Sequence, residues 1–276
     1  MARIFITGSG DGIGLLTAQR LIAEGHHVVM HARNDQRARE TEAACPGAAA
    51  ILVGDLTSFN ETVALAEQAQ AFLKKEGAGA RYDAVIHNAG VYRGQDNAVC
   101  KDTKYPRLFV VNTLAPYILS VSMTDPLPRR LIYISSSVHN SGQRNFAEMP
   151  LKVTYPDSKL YVVTLAKAFA RRWAKGLNIS VSADPGWVPT KLGGKSAPDS
   201  IEDSVATYKT LIFGTGEAAG QNEDVSGKYF LKSQVTQAHA MTDDKALQDE
   251  LIAKLAELSG VPMVDVERGR EINVST

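Results

Sequence analysis

The chain has 276 residues, and its 30 Lys and Arg residues balance its 30 Asp and Glu residues. This balance excludes a global electrostatic attraction to nucleic acid or to an anionic membrane. Hydrophobic residues make up 44% and charged residues 22%, which excludes a disordered chain and predicts a buried core.

Short β-rich runs alternate with helical patterns through the first two thirds of the chain. The runs typical of buried strands are Arg3–Thr7, His27–His31, Ala49–Val53, Tyr82–His87, Arg130–Ser135 and Asn178–Ala183. Helical patterns lie between them, such as Ile13–Glu24 and Ser58–Lys75, and glycine ends each of these two. The alternation predicts an α/β fold with one doubly wound parallel sheet of about seven strands and helices on both faces. No linker interrupts it, so we expect a single domain over residues 1–276.

The last third has a different pattern. Lys191–Gly227 is rich in Gly, Ser, Asp and Pro around one amphipathic stretch, Ser200–Phe213. An excursion of this length is usually functional, so residues 191–227 are predicted to form a substrate lid. A strand-like run, Lys228–Leu231, and a helical pattern, Asp243–Leu258, then close the domain.

A glycine turn follows the first predicted strand and precedes a helix. The general dinucleotide spacing G-x-G-x-x-G fails, because Ile13 stands where its third glycine would be. The turn instead satisfies G-x-x-x-G-x-G, and glycines here let backbone amides approach a pyrophosphate at a helix N-terminus. The alternative is a tight strand-to-helix connection without a ligand. The candidate dinucleotide-binding residues of this turn are Gly8, Ser9, Gly10, Asp11, Gly12, Ile13 and Gly14.

The end of the second predicted strand indicates which dinucleotide binds. An acidic residue there would bind the ribose of NAD, whereas an arginine would accommodate the 2′-phosphate of NADP. The chain has Arg33 and no carboxylate at the strand end, which favours NADP. Arg33 as a solvated residue at a helix start remains the alternative, and Asp35 weakens a positive pocket.

Tyr155 and Lys159 stand four residues apart at the start of a helical pattern, so their side chains share one face. A free phenol has a pKa near ~10 and is a poor acid or base at neutral pH until a nearby ammonium favours the phenolate. Lys159 supplies such a charge. The pair alone is weak, because Tyr and Lys occur at this spacing by chance.

Ordered motifs accompany this pair and carry a resemblance. They are the glycine turn, Asn88-Ala89-Gly90, Asn112, Ser135-Ser136-Ser137, Tyr155-x-x-x-Lys159 and the segment from Pro185 to Thr190. In this order they resemble the short-chain dehydrogenase/reductase family over essentially the whole chain. The resemblance implies a Rossmann fold and oxidoreductase activity with a nicotinamide cofactor.

The resemblance also implies the catalytic roles. Tyr155 is expected to give its proton to a substrate carbonyl, and Lys159 to lower the pKa of Tyr155 and bind the nicotinamide ribose. Ser136 would polarise the carbonyl oxygen, with its neighbours Ser135 and Ser137 as alternatives. Asn112 would hold a water that relays protons to Lys159.

Further cofactor contacts follow from the same resemblance. Asp55 and Leu56 are expected at the adenine ring, although Asp55 as a plain helix N-cap remains open. The Asn88–Gly90 segment is expected to line the adenosine side. The segment containing Pro185 and Gly186 would pass the nicotinamide, with Val188 and Thr190 binding its carboxamide.

Two departures from the family pattern stand out. Ser136 and Tyr155 are 19 residues apart, where many members have about 13, and His139 follows Ser136 by three residues. Both features resemble the retinol-dehydrogenase-like branch, which implies a lipophilic carbonyl substrate. The second departure is Asp184, where many relatives have an apolar residue, His or Asn, and the sequence assigns it no role.

The expected activity is NADPH-dependent reduction of a ketone or aldehyde. The alternatives are NAD(P)-dependent oxidation of a secondary alcohol and a non-redox dinucleotide-binding member of the family, and a homodimer or homotetramer is expected. No metal site is expected, because the adjacent His26 and His27 point to opposite faces of a strand.

The cysteines and the N-terminus indicate the compartment. Cys45 and Cys100 are too few for a disulfide framework. The apolar N-terminal run is too short for a signal peptide, and no stretch approaches the ~20 apolar residues of a membrane span. We therefore expect a cytoplasmic protein whose partners are small molecules.

Overall fold

The computed structural model describes residues 1–92, 98–100, 102–173, 178–220 and 222–263. The predicted domain, residues 1–276, therefore includes segments outside the described residues, namely 93–97, 101, 174–177, 221 and 264–276. The predicted lid, residues 191–227, likewise includes residue 221, which lies outside them.

Eight strands in the described ranges form one sheet in the order β3-β2-β1-β4-β5-β6-β7-β8. The strands are β1 (Arg3–Ile6), β2 (His27–Ala32), β3 (Ala50–Val53), β4 (Ala84–His87), β5 (Arg130–Ile134), β6 (Ile179–Asp184), β7 (Tyr229–Leu231) and β8 (Gln234–Thr236). Strands β1 to β7 pair in parallel, and β8 pairs antiparallel with β7. The predicted doubly wound sheet is confirmed. Strand β8 was not predicted, because three exposed residues give too short a pattern.

Helices cover both faces of the sheet. They are α1 (Gly12–Ala23), α2 (Asp35–Ala44), α3 (Phe59–Glu76), α4 (Arg107–Phe109), α5 (Ala115–Ser122), α6 (Tyr155–Arg172), α7 (Ile201–Phe213), α8 (Asn222–Val225) and α9 (Lys245–Ser259). A π-helical turn, Val110–Leu114, joins α4 to α5. Side-chain caps start several helices, as Ser58 does for α3, and left-handed glycines end α7 and α9.

Alternation along the strands divides the core between the two faces. Phe5 and Val29 pack with the apolar sides of α3, α5, α6 and α9, whereas Ile4 and Val28 pack with α1 and α7 on the opposite face. All four side chains are fully buried. Each such side chain contributes about 1.5–3 kcal/mol relative to an exposed one, so the period of two fixes which strand residue faces which helix.

The strand order reverses between β1 and β4. Strands β2 and β3 lie on one side of β1, and strands β5 to β8 lie on the other side of β4. In open parallel sheets this reversal leaves a crevice at the carboxyl ends of the strands, where ligands bind. The glycine turn after β1 and the turn after β4 lie at this crevice. None of the helices in the described part of the chain is long and apolar enough to cross a membrane.

Candidate active site

A cleft of about 870 Å³ opens at the carboxyl edge of the sheet. It is lined by the residues that follow seven successive strands, from the glycine turn after β1 to Leu231 and Lys232 at the end of β7. Tyr155, Lys159 and Ser136 line it together with the glycine turn. The fold therefore brings the predicted catalytic and dinucleotide-binding segments to one cavity.

Steric limits explain the glycines of the turn after β1. Gly8 has a φ of +63°, and a Cβ added to it would lie 2.9 Å from the Ala89 Cα. A Cβ added to Gly14 would lie 2.6 Å from the Asn88 Nδ2. The turn thus packs against the segment after β4 at backbone distance, and side chains at Gly8 and Gly14 would separate the two.

His31 holds the glycine turn from behind. Its Nδ1 accepts a hydrogen bond from the Gly8 N–H at 2.9 Å, and its Nε2 lies 2.8 Å from the Gly54 carbonyl oxygen. These two contacts require a proton on Nε2 and none on Nδ1, which is the neutral imidazole. Burial lowers the pKa of His31 and favours the same form.

Ser9 and Asn88 also support the turn, because their side-chain polar groups are hydrogen-bonded to neighbouring protein atoms. The Ser9 hydroxyl donates to the Ile6 carbonyl oxygen and accepts from the His31 N–H, both at 2.9 Å. The Asn88 amide donates to the carbonyl oxygens of Thr7 and Gly8, and its oxygen accepts from the Tyr208 hydroxyl at 2.7 Å. Ser9 is fully buried, so its hydroxyl supports the turn from inside the protein, and its contact with a cofactor stays a prediction.

Asp11 caps helix α1. Its carboxylate accepts a hydrogen bond from the Gly12 N–H at 2.8 Å and pairs with the Lys191 Nζ at 2.5 Å. These contacts lower the pKa of Asp11 even though partial burial opposes them. A carboxylate thus occupies the positive end of α1 in the glycine turn, balanced by a lysine from the segment after β6.

Two arginines flank the cleft beyond the end of β2. Arg33 is exposed and lines the cleft. Arg37, in the first turn of α2, also lines it, donates from Nη2 to the Gly10 carbonyl oxygen at 3.0 Å and pairs with Glu40. Arg37 was missed from the sequence, because its contact with the glycine turn joins residues 27 positions apart.

Asp55 and Leu56 line the cleft after β3. The Asp55 carboxylate accepts from the Thr57 N–H at 3.0 Å, whereas Ser58 caps α3 through the Glu61 N–H. The alternative that Asp55 is the N-cap of α3 is therefore wrong, because the cap lies three residues further along the chain.

Tyr155 begins helix α6, and Lys159 lies one turn further along it. A capping box formed by Thr154 and Asp157 fixes the helix start, and Pro156 occupies a position that needs no N–H donor. The Lys159 Nζ lies 5.4 Å from the centre of the Tyr155 ring and donates to the Ile134 carbonyl oxygen at 2.9 Å. The two side chains therefore meet where β5 ends.

Burial changes both acid–base groups. Burial lowers the pKa of Lys159 to about 8, although the negative charge of Asp184 opposes this. Burial raises the pKa of the Tyr155 phenol, and the charge of Asp184 raises it further. Burial of the phenol is the largest of these effects, and the lowering expected from Lys159 stays a prediction. At neutral pH Tyr155 is protonated.

The three serines after β5 have different partners. The Ser135 hydroxyl donates to the Lys159 carbonyl oxygen at 2.9 Å, and the Ser137 hydroxyl donates to Asp184 at 2.5 Å. The Ser136 hydroxyl accepts one long contact, 3.5 Å from the Val138 N–H. Ser136 thus has the hydroxyl least engaged by the protein, which suits it better than its neighbours for binding a substrate oxygen.

A sequence model described as short chain dehydrogenase matches residues 2–200. The chain belongs to the short-chain dehydrogenase family. It is 42% identical over 262 residues to the uncharacterized oxidoreductase AN7799 of Emericella nidulans, covering 95% of this chain and 98% of the relative. It is 39% identical over 277 residues to the short-chain dehydrogenase chyC of Penicillium rubens, covering 95% and 99%.

More distant relatives agree with this assignment. Retinol dehydrogenase 13 of Mus musculus is 26% identical over 304 residues, covering 97% of this chain and 86% of the relative. The structure of NADPH-bound carbonyl reductase from chicken fatty liver superposes with a TM-score of 0.64 at 23% identity, covering 86% of this chain and 99% of that one. The resemblance to the family, including its retinol-dehydrogenase-like branch, is confirmed, and the chain is an oxidoreductase.

In this short-chain dehydrogenase, Asn112 lies in the π-helical turn behind the cleft. Its side chain accepts from the Val91 N–H at 2.8 Å and donates to the Val91 carbonyl oxygen at 3.0 Å. A Cβ added to Gly90 would lie 3.6 Å from the Asn112 Oδ1 and 3.7 Å from the Lys159 Nζ. Asn112 therefore holds the segment that passes directly beside Lys159.

The segment after β6 runs along the opposite wall of the short-chain dehydrogenase cleft. Pro185, Gly186 and Thr190 line the cleft, whereas Val188 is buried and its carbonyl oxygen accepts from the Thr190 N–H at 2.8 Å. Gly186 has a φ of +103°, and the Trp187 N–H donates to Asp199 at 2.7 Å. Local hydrogen bonds thus fix the path of this segment.

Large apolar side chains surround the mouth of the short-chain dehydrogenase cleft. They are 37% to 50% exposed, and they are Tyr92, Val138, Trp187, Leu192 and Leu231. The Tyr92 ring contacts the Tyr155 ring in a tilted arrangement with 4.2 Å between centres, and the Trp187 indole N–H donates to the Gly193 carbonyl oxygen at 2.7 Å. An apolar ligand would cover this surface.

His139 lies between Ser136 and Tyr155, in the segment that is longer here than in many short-chain dehydrogenases, and it supports Ser136. Its Nδ1 lies 2.8 Å from the Ser136 carbonyl oxygen, and its Nε2 accepts from the His239 N–H at 3.2 Å. Burial lowers the pKa of His139, which favours the neutral form that both contacts need. Within the described residues, no cluster of three or more His, Cys, Asp or Glu side chains could hold a metal ion.

Proposed function

We propose that the protein reduces a ketone or aldehyde to an alcohol with NADPH, using Tyr155 as the proton donor. The observation that carries this proposal is the convergence of Tyr155, Lys159 and Ser136 in one cleft with the glycine turn. Tyr155 is protonated at neutral pH, as a proton donor in reduction must be. The three side chains together favour chemistry at a carbonyl or alcohol group over a non-redox role.

The cleft suits a nicotinamide dinucleotide. Gly8 and Gly12 have φ values of +63° and +53°, which side chains rarely adopt, and their turn leads into the N-terminus of α1, where a pyrophosphate would bind. NADPH would supply the hydride for the carbonyl carbon. Asp55 and Leu56 would contact adenine, and the Asn88–Gly90 segment would line the adenosine side. Pro185, Gly186, Val188 and Thr190 would lie beside the nicotinamide.

The preference for NADPH rests on Arg33 and Arg37. Both line the cleft beyond β2, and planar guanidinium groups bind a phosphate through paired hydrogen bonds. The carbonyl reductase structure reported above holds NADPH. This supports the same cofactor here.

The proposed catalytic side chains have different tasks in the reduction of the carbonyl group. Ser136 donates a hydrogen bond to the carbonyl oxygen and polarises it. Tyr155 transfers its phenolic proton to that oxygen as charge develops there. Lys159 binds the ribose and stabilises the phenolate left behind, and Asn112 holds the Gly90 segment and a proton-relaying water beside Lys159.

The proposed substrate is a lipophilic carbonyl compound. The half-exposed apolar side chains at the mouth, with Tyr92 and Trp187 among them, would be removed from water by such a substrate. We propose that the part of residues 191–227 that precedes α7 forms the lid, because Lys191 and Leu192 line the cleft. Helix α7 itself packs in the core with Ile4 and Val28 and is not part of the lid. The lid and the sheet would belong to one domain, residues 1–276.

Assembly and location complete the proposal. A homodimer or homotetramer would have to use a face other than the one that α9 covers on α6. Light scattering after gel filtration measures the number of subunits.

Cys45 and Cys100 are buried free thiols, which suits the reducing cytoplasm, and cell fractionation tests that location.

A carbonyl panel followed by NADPH absorbance tests the activity. We expect turnover of apolar ketones or aldehydes, and Tyr155→Phe should lower kcat by about 10²- to 10⁴-fold because it removes the proton donor. Tyr161→Phe is the matched control, since Tyr161 is buried on the same helix and its hydroxyl donates to Gln143. Full activity of Tyr155→Phe would refute the proton-donor role.

Binding titrations with NADPH and NADH test the cofactor. We expect at least about a tenfold preference for NADPH, lost in part in Arg33→Ala and in Arg37→Ala and wholly in the double variant. Arg39→Ala, an exposed arginine of the same helix, is the control. Equal affinity of the wild type for both dinucleotides would refute the phosphate site.

A further inference from the structure

Asp184 is a buried carboxylate at the end of β6, 7% exposed, and the proposed reaction gives it no task. One oxygen, Oδ2, accepts from the Ser137 N–H at 2.6 Å and from the Ser137 hydroxyl at 2.5 Å. The other, Oδ1, accepts from the Gly186 N–H at 2.8 Å. All three partners donate, which is the pattern around an ionised carboxylate.

These contacts join two walls of the cleft. Ser137 follows Ser136 directly in the turn after β5, and Gly186 belongs to the segment proposed to lie beside the nicotinamide. A carboxylate with donors on both oxygens fixes the distance between the two segments, and charge-assisted hydrogen bonds are about twice as strong as neutral ones. The place of the Ser136 hydroxyl is thereby set relative to the cofactor wall.

The charge of Asp184 also acts on its surroundings. Lys159 from α6 and Lys232 after β7 are the cations affected, and both are favoured in their charged forms. The other titratable groups that its charge affects are Tyr155 of α6, Tyr208 of α7, Tyr229 of β7 and His139 of the turn after β5. Among these, Tyr155 is the proton donor, and a nearby negative charge disfavours its phenolate.

We propose that Asp184 is a positioning residue that fixes the Ser136 turn against the Gly186 segment, and that its negative charge opposes that of Lys159 at the Tyr155 phenol. With this charge in place, reduction continues to higher pH, and the phenolate-dependent oxidation of an alcohol begins at higher pH. Both limits depend on the ionisation of the same phenol. This inference rests on the proposed function.

The test separates charge from positioning. Asp184→Asn and Asp184→Ser remove the charge, and both should move the alkaline limit of reduction to lower pH by about one unit. Ser137→Ala removes one hydrogen bond and leaves the carboxylate. It should lower kcat several-fold without moving that limit. Asp199→Asn is the control carboxylate, since Asp199 binds the next residue of the same segment, Trp187, and its own charge is paired with Lys232.

A spectroscopic titration gives a readout that does not depend on turnover. The phenolate absorbance of Tyr155 is the difference between each protein and its Tyr155→Phe counterpart during alkaline titration. We expect its midpoint to fall in both Asp184 variants and to stay in place in Ser137→Ala and Asp199→Asn. An unchanged midpoint in folded Asp184→Asn and Asp184→Ser would overturn the inference. Failure of the wild type to reduce any carbonyl compound would instead overturn the proposed function.

Discussion

The two halves of the cleft are built in different ways. On the adenosine side, the glycine turn, Asn88 and His31 hold backbone atoms at short distances, so the surface consists largely of main chain. On the catalytic side, buried ionisable side chains lie together, and the charge of Asp184 acts on both Lys159 and Tyr155. The first half depends on the absence of Cβ atoms. The second depends on charges taken out of water.

The difference predicts opposite stability effects in the two halves. Removal of a buried charge from the catalytic side relieves a desolvation cost, whereas addition of a methyl group to the adenosine side forces backbone atoms apart. On the catalytic side, such a variant should therefore lose activity and gain stability. On the adenosine side, it should lose both cofactor binding and stability.

Lys159→Met should show the largest effect. We expect kcat to fall by about 10²- to 10⁴-fold, because the phenolate of Tyr155 loses its cation. Unfolding free energy should rise by about 1 kcal/mol at pH 7, because Met fills the space without a buried charge, although the Ile134 carbonyl oxygen loses its donor. Kinetics and urea denaturation measure the two effects.

The stability gain of Lys159→Met should depend on pH. Folded wild-type protein releases the Lys159 proton near pH 8, whereas the unfolded chain keeps it to about pH 10.4. The unfolded state binds more protons in this window, so wild-type stability rises and the gap between the two proteins narrows from pH 8 upward. A gap that widens there would contradict the assignment of Lys159 as a desolvated cation.

Gly8→Ala tests the backbone half. The new Cβ would meet the Ala89 backbone at 2.9 Å and would also force an alanine to a φ of +63°. We expect a loss of about 2–4 kcal/mol in unfolding free energy and at least tenfold weaker NADPH binding. Gly25→Ala is the matched control, because Gly25 has a φ of +82° but nothing within 4 Å of its added Cβ. It should lose about 1 kcal/mol, and equal losses at both sites would refute the close packing.

Asp11→Asn should have the smallest effect. Asparagine keeps the cap of α1, while the variant removes a negative charge from the glycine turn. We expect NADPH to bind about two- to fivefold more tightly at low salt, with the gain shrinking as salt screens the charge. Fluorescence titration at two ionic strengths measures it. Weaker binding by the variant would mean that the Asp11–Lys191 pair orders the turn.

The fold and the main motifs were predictable because each leaves a local signal. Strand alternation and the glycine stops placed the first seven strands and the sheet. Ser136 and the Tyr155–Lys159 pair were assigned from the resemblance that the ordered motifs carry. Residues whose role depends on contacts distant in sequence gave no such signal. The roles of His31 and Asp184 follow from hydrogen bonds, with Gly8 and Gly54 for His31 and with Ser137 for Asp184.

The pKa of Tyr155 shows the limit of local reasoning. The resemblance to the family implied that Lys159 lowers it, and the four-residue spacing brings the two side chains to one face of a helix. Burial and Asp184 raise it, and both depend on strands β5 and β6 lying side by side. A pKa follows from the whole environment of a group, whereas a spacing reports one neighbour.

The packing of α9 against α6 limits how far the chain could be shortened. The family match ends at residue 200, before α9, yet Leu251 and Leu255 of α9 are buried in the core that holds α6. His239, also beyond the match, donates its backbone N–H to His139 under Ser136. A chain cut at residue 200 would keep every proposed catalytic residue but lose the support beneath α6 and beneath the Ser136 turn. We therefore expect such a shortened chain to lose the geometry of the cleft together with its C-terminal helix.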